Sequence, residues 1–334
     1  MYRFGPAGIP LSCKGRKLIN AVEEVMKSGL NALEVQFIRF YWEETPVTKD
    51  MEGMVAREAP ELGVVLDVLT QTDGGYVYAG PEKVLEEGDI VIHLPRWNLA
   101  SSYQELEDVA RIAREFDVML SAHSPYYMEL TGTGEGARRS IEEILWSAYF
   151  AQVLGADLLV NKTGLYMGLS REEAMQNMIR NIKEIQREMR RRKIKVKLGF
   201  EISGKPEVFG DKEELFELSK RLKIIPVLNF PYLHAREYGK FRRANQFLEA
   251  LEEFRGHLHG LKRHYVRFAG VEHEAGRELR LLPIKRGDLR FEIMAEALAE
   301  LDYDITIISI SPLLEHDAKY MKIMLERVFA RRVK

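Results

Sequence analysis

Short apolar runs of strand length recur along this chain, and nearly every one is followed by a segment whose apolar residues fall on one helical face. The runs are 2–8 (YRFGPAG), 32–37 (ALEVQF), 118–125, 157–164, 195–203, 224–233, 264–270 and 306–312. The helical patterns lie at 15–29, 104–116, 138–154, 170–192, 211–222, 244–255, 288–301 and 314–332. Strict alternation makes consecutive strands parallel, because a helical crossover returns the chain to the same end of the sheet. Eight such units predict an α/β fold closed into a (β/α)8 barrel, with a doubly wound open sheet as the competing arrangement.

One connection breaks the rhythm. Between the second strand and its helix, residues 41–103 contain VVLDVL at 64–69, a turn at Asp73-Gly74-Gly75, YVYAG at 76–80 and GDIVIHL at 88–94. This stretch reads as a β-meander inserted in the second βα connection and expected to rise beside the mouth of the barrel. Its presence settles how to read the length. The 334 residues exceed the roughly 250 of an ordinary barrel, and the surplus is this insertion, so one barrel domain spanning 1–334 is expected. Composition excludes other classes: with 46% hydrophobic and 30% charged residues, the chain is neither disordered nor fibrous. It has no apolar run near the ~18 residues of a membrane span, and its start lacks the apolar core of a secretory signal. A lone Cys13 forms no internal disulfide. Cytoplasmic location is expected, and eight Asn and seven Gln beside 49 Lys+Arg and 51 Asp+Glu suggest a thermophile. The net charge of −2 exerts no global pull on nucleic acid, which leaves a local patch as the route to any such binding.

The segments FGPAGIPLS at 4–12, AHSPYYMEL at 122–130, LGFEISGKPEVFG at 198–210, PVLNFPYLHAREYG at 226–239, VRFAGVEH at 266–273 and IISISPLLEHDA at 307–318 together resemble the endonuclease IV branch of the xylose isomerase-like barrels (AP endonuclease family 2), and especially its archaeal members. The resemblance implies a site at the strand C-termini where histidines and carboxylates hold three zinc ions that cleave DNA beside an abasic site. His123 matches the third-strand histidine and Glu201 the bridging glutamate. Most other ligand positions are substituted: Lys162 stands for the fourth-strand histidine, Asn229 and Tyr232 for the Asp-x-x-His of strand six, Arg267 for the strand-seven histidine, and Ser309 or Ile310 for the last glutamate.

Zinc takes a lone pair from imidazole, thiolate or carboxylate; a guanidinium has none to give, nor does a protonated ammonium. A three-zinc cluster is therefore not expected, and the cofactor expectation is none or a single divalent metal, zinc or manganese, on His123, Glu201 and His234. The expected catalytic groups are Glu201, His123, Lys162 and Arg267, with the two cations replacing metal charge. Tyr126, Tyr127, Tyr166, Asn229 and Tyr232, together with Arg236, Lys240 and Arg242 of the basic stretch 234–243, are the expected substrate contacts, since aromatics beside cations suit phosphates and unstacked bases; the bland alternative is a solvated surface with its aromatics packed as loop core. The basic runs Arg187–Lys193 and Arg327–Lys334 read as solvated helix caps. The expected function is binding of DNA or a phosphorylated small molecule at the mouth, with the phosphodiesterase activity of an abasic-site endonuclease lost, weak or altered. The alternatives are a non-catalytic interaction protein that meets a protein partner through 41–103, and a sugar-phosphate isomerase or epimerase. No membrane partner is expected.

Overall fold

A computed structural model describes residues 1–15 and 17–332; Lys334 of the second basic run lies outside them. In chain order the elements are β1 (Tyr2–Pro6), α1 (Leu18–Lys27), β2 (Ala32–Gln36), β3 (Glu43–Pro46), β4 (Val64–Thr72), β5 (Gly75–Tyr78), β6 (Ile90–Leu94), α2 (Tyr103–Glu115), β7 (Met119–His123), α3 (Glu135–Val153), β8 (Leu158–Asn161), α4 (Arg171–Arg191), β9 (Lys197–Glu201), α5 (Lys212–Leu222), β10 (Ile225–Asn229), α6 (Phe230–Arg236), α7 (Ala244–Arg255), β11 (His264–Phe268), β12 (Gly270–Glu274), β13 (Arg277–Leu282), α8 (Phe291–Leu298), β14 (Ile305–Ser309) and α9 (Leu314–Arg332). Eight of the strands form one parallel sheet in the order β1-β14-β11-β10-β9-β8-β7-β2.

The sheet closes where β1 meets β2. Gly8 N–H donates to Glu34 O at 2.8 Å and Asn31 N–H to Phe4 O at 3.1 Å, around a single parallel bridge between Ala7 and Glu34. Gly5 permits this approach, because a Cβ there would lie 1.7 Å from Ala32 O. The eight-stranded barrel expected from the alternation is thus the observed architecture, and the open-sheet alternative falls. Strand period then fixes what points inward. The interior holds a small apolar plug of Ala32, Leu158, Val160, Ile225, Val227, Tyr265 and Ile308. Two residues beyond the plug on β10 and β11 the same alternation brings Asn229 and Arg267 to the C-terminal rim, where His123 and Glu201 end β7 and β9.

Three features differ from the sequence expectation. The run 224–233 is not all strand. It ends at Asn229, whose side chain accepts the Tyr232 N–H at 3.3 Å and caps α6, with Pro231 in the first turn where no amide partner is needed. Tyr232 is therefore helical. A second β hairpin, β12–β13, occupies the connection after β11. Finally, the insertion is a four-stranded antiparallel sheet in the order β3-β6-β4-β5, in which β6 returns to β4 instead of continuing past β5, so it is not a meander.

That inserted sheet lies along the outside of the barrel. Phe37, Phe40 and Trp97 pack on Phe150 of α3, with Trp97 and Phe150 centroids 4.7 Å apart. A bulge in β4 turns Asp67 inward, where the buried carboxylate meets Arg192 at 2.6 Å and the Trp146 indole at 3.2 Å. Arg191 donates to Tyr78 O at 2.6 Å. Arg191 and Arg192 end α4, so these two members of the first basic run fasten the insertion; Arg191 stays exposed, but Arg192 is not a solvated cap. The two arginines tie its sheet to the C-terminal end of α4, opposite the mouth, while its root supplies Phe37, Ile38, Arg39 and Tyr41 to a cavity at the rim. Because the β1–β2 seam tolerates no side chain at position 5, Gly5→Ala is expected to cost more than about 3 kcal/mol of stability, read as a drop in the urea midpoint; an unchanged midpoint contradicts this account of closure.

Candidate functional site

The rim is organised by a buried carboxylate, Glu201 at the end of β9. Lys162, just past β8, and Arg267 of β11 both form ion pairs with it. Asn229 Nδ2 donates to its Oε2 at 3.0 Å, and His123 Nε2 stands 3.4 Å from its Oε1. Arg267 reaches the other way as well: its second terminal nitrogen donates to Glu34 Oε1 at 2.8 Å. Glu34, fully buried on β2, is further bonded by the Tyr265 hydroxyl and by Gln36, and Tyr265 meets Ser121 Oγ at 2.8 Å. Two acids and two cations thus alternate across the barrel interior.

Electrostatics follow from this alternation. Burial raises the Glu201 carboxyl, but Arg267 and then Lys162 outweigh it and hold the group well below the ordinary carboxylate range. Burial would likewise discharge Lys162, yet Glu201 keeps its ammonium protonated beyond the ordinary lysine value. The ammonium also lies 4.7 Å from the ring centroids of both Tyr126 and Tyr232, a cation held between two π faces. A protonated Lys162 has no lone pair for a carbonyl or a metal.

Two cavities adjoin at the rim and share Tyr126, Tyr127 and Glu129. One, about 390 Å³, has Lys162, Glu201 and Tyr232 at its base and Lys205 and Glu278 on its wall. The other, about 550 Å³, is lined by His123, Ser124, Arg39 and Arg139. Tyr126 and Tyr127 are 56% and 87% exposed; one face of Tyr126 is taken by Lys162, which leaves its other side and the Tyr127 ring open to a ligand.

The structure brings together Glu201, His123, Lys162, Arg267, Asn229, Tyr232, Tyr126 and Tyr127. Other expected members fall elsewhere. The Tyr166 hydroxyl donates to Glu214 at 2.5 Å and its ring packs on Phe209, so it supports α5 and lines neither cavity. Arg236 pairs with Asp211 at 3.8 Å, Lys240 with Glu237 at 2.7 Å and Arg242 with Asp288 at 2.6 Å. These three members of the basic stretch are engaged in local ion pairs, and they line neither cavity.

His234 does not join His123 and Glu201. It is buried in α6 and clusters with His273 and Asp288, the three ligand atoms lying within 4.8 Å of one another. A metal on that cluster conflicts with the tautomer. His234 Nδ1 accepts the Phe241 N–H at 3.1 Å, so the proton of the neutral ring sits on Nε2 and is directed to Asp288 Oδ1 at 3.1 Å. A ligating imidazole needs the reverse, a bare nitrogen on the metal and an N–H on the far side. Burial, opposed only in part by Asp288, lowers the pKa of His234 and favours that neutral form.

The sequence reading missed Glu34, Tyr265 and Glu278. Glu34 carried a signal, a lone acid in the apolar run ALEVQF on the same strand face as Gln36. Glu278 had none, since it enters through β13. Its amide donates to Gly204 O at 2.8 Å, and Gly204 leaves the hairpin room: a Cβ there would stand 2.8 Å from both Glu278 Cβ and the Tyr232 ring. Burial raises the Glu278 carboxyl, against Lys205 and Lys162.

Comparison with known proteins places this geometry in context. A family described as xylose isomerase-like TIM barrel matches residues 89–322. An uncharacterized protein of Methanocaldococcus jannaschii is 30% identical over 217 residues, which span 64% of this chain and 79% of that protein. Among solved structures, endonuclease IV from Thermus thermophilus is similar with a TM-score of 0.61 and 15% identity, over 97% of this chain and 99% of that one. An L-ribulose 3-epimerase is similar with a TM-score of 0.57 and 10% identity, over 99% and 97%. Likeness at such identities concerns the fold and leaves the chemistry to the site.

Removing one member of the buried network leaves an uncompensated charge. Arg267→Leu should therefore destabilise the fold by about 3–5 kcal/mol, measured by urea unfolding. The pH dependence follows from the lowered pKa of Glu201. Its contribution is complete above the unfolded glutamate value of about 4.3 and is lost as pH falls from there toward the depressed folded value. Stability measured against pH should fall through that acid window, and Glu201→Gln should flatten the fall.

Proposed function

This chain belongs to the xylose isomerase-like TIM barrel family, and from that premise we propose that it binds a nucleic acid or a phosphorylated ligand at the barrel mouth, with the phosphodiesterase chemistry of an abasic-site endonuclease lost, weak or altered. One observation carries the reading: the Lys162 ammonium sits on Glu201, where the resemblance implies a metal bridge. His123 retains the orientation of a ligating imidazole, with Nδ1 2.6 Å from Ser124 O and Nε2 toward Glu201. The residues around it do not fit a metal cluster, however. Glu201 is engaged by Lys162, Arg267 and Asn229, and a cation placed there would face an ammonium and a guanidinium.

The same accounting describes how a ligand would be held. Lys162 and Arg267 are neutralised by Glu201 and Glu34, so the base of the site supplies shape and hydrogen bonds more than net charge. The groups left to a ligand are the Tyr127 ring and the side of Tyr126 not covered by Lys162, Lys205 on one side and Arg39 on the other. Aromatic faces flanked by cations suit a chain of bases and phosphates, with stacking sequence-tolerant and the cations meeting phosphate oxygens. The fold likeness to an epimerase does not favour a sugar isomerase to the same degree, because that reading also calls for acidic metal ligands where Asn229 and Ser309 or Ile310 stand; of the latter two it is Ile310, packed against the interior plug with Ile308, that faces inward.

The test uses the purified full chain. Elemental analysis is expected to find no stoichiometric metal, and a duplex containing one abasic site should be bound but incised feebly or not at all, with or without added zinc or manganese. Tyr127→Ala, at a highly exposed position, should weaken that binding roughly tenfold, the loss of about one stacked base. Absence of binding, or robust metal-dependent incision abolished by Glu201→Gln, would overturn the proposal.

A further inference from the structure

The end of the barrel opposite the mouth carries a second cleft, about 660 Å³, at the N-terminal ends of β8, β9 and β11. Its wall includes Lys193, Lys195, Lys197 and Lys262, with Asp157 as the one acid among its lining residues. The sequence explains why the ammonium groups converge. In Lys193-Ile194-Lys195-Val196-Lys197, Ile194 and Val196 are buried and the three lysines exposed. Alternation in this extended entry to β9 puts successive side chains on opposite faces, so Lys195 and Lys197 emerge on one side about 6.6 Å apart. Lys262 comes from the turn that enters β11 and faces them across Gly260 and Leu261.

Two ordinary uses of surface lysine can be tested against the contacts. Among the described residues, none of these four has a carboxylate within ion-pair distance, although Lys17, Lys27, Lys83, Lys212, Lys240 and Lys322 all do. Helix C-terminal capping is the other use, and here only the Lys197 ammonium reaches a carbonyl, His259 O at 3.3 Å; the side chains of Lys193, Lys195 and Lys262 donate to no acceptor among the described residues. Their charge is felt by neighbours: burial lowers the pKa of His259, and Lys223 and Lys197 contribute in the same direction. A cleft that gathers unneutralised ammonium groups raises the local concentration of anions.

We propose that this cleft is a binding site for a run of phosphates, a multivalent oxyanion that Lys195, Lys197 and Lys262 neutralise together. The ligand chemistry is set by the lysines: compact, strongly hydrated ammonium groups on flexible stems suit phosphate oxygens as point charges and do not demand the planar bidentate geometry of a carboxylate or a guanidinium partner. The site is on the far face from the mouth, and it stands or falls separately from the reading of the rim.

Calorimetric titration of the full chain with inorganic tripolyphosphate at low ionic strength tests it. Saturable binding is expected, weakening steeply as salt is added. The double variant Lys195→Glu/Lys262→Glu should lose about tenfold or more of the affinity, since both positions are exposed and ion-free and their change reverses two contacting charges. Lys49→Glu, an exposed lysine of the insertion, should bind as the parent does. A short oligothymidylate is titrated in parallel: binding of both anions with the same loss in the double variant identifies a nucleic-acid backbone as the source, and binding of tripolyphosphate alone identifies a free polyphosphate. No saturable binding of tripolyphosphate, full affinity in the double variant, or an equal loss in Lys49→Glu overturns the proposal.

Discussion

Arg267 is one guanidinium lodged between two carboxylates inside a closed sheet. Glu34 on β2 and Glu201 on β9 are both buried, and each would be prohibitively costly to ionise there alone. A planar fork with fixed donors can satisfy both at once, one terminal nitrogen each. The rest of the rim follows from that arrangement. Glu201 retains capacity for Lys162 and Asn229, Asn229 turns its other amide atom to cap α6, and α6 then presents Tyr232 to the far side of Lys162. Burying several charges yields little net stability compared with a hydrophobic core of the same volume. Its effect is geometric: few rotamers satisfy every partner together.

A barrel rim built this way differs in kind from one built on metal ions. Metal charge is an electrophile awaiting a ligand; here the cations already have their partners, and the network as a whole, Glu34 and Glu201 against Lys162 and Arg267, is neutral. Lys162 is consequently a poor nucleophile, since Glu201 holds it protonated. What remains open at the periphery is the exposed Tyr127 ring together with Lys205 and Arg39, which have no carboxylate partner among the described residues. Similarity of fold extends over nearly the whole chain, and likeness at such identities leaves the chemistry to the residues at the strand ends, where barrels keep it.

How much of this was legible follows from what a linear sequence encodes. The strands and their order were readable because period and length are local. His123, Lys162, Glu201 and Arg267 were placed together by the family resemblance, and the ends of β7, β8, β9 and β11 do meet at one rim. Glu34 was not read into the site, for a lone acid in ALEVQF does not announce a partner 233 residues away. Charge was misread where pairing decides its meaning. Arg236, Lys240 and Arg242 looked like a ligand-facing patch, but Asp211, Glu237 and Asp288 absorb them. Arg191 and Arg192 looked like solvated caps, but Tyr78 O and Asp67 receive them. His234 looked like a metal donor; the amide of Phe241 fixes its tautomer the wrong way.

The same distinction between charge and unpaired charge applies to the whole molecule. A formal charge of −2 describes a near balance that says nothing about where cations lack partners. At the mouth the conspicuous basic residues are spent, and the interior cations are matched by buried acids. At the opposite end, lysines in an alternating entry to β9 have no carboxylate partner among the described residues, because the segment that carries them buries Ile194 and Val196 and so turns the alternate side chains outward. Barrel construction thus separates two kinds of positive charge: one locked into the architecture by low dielectric, where it determines shape, and one left in solvent, where it remains available to an anion. The electrostatic character of such a chain is therefore read from its pairing pattern, with net charge a poor guide to either face.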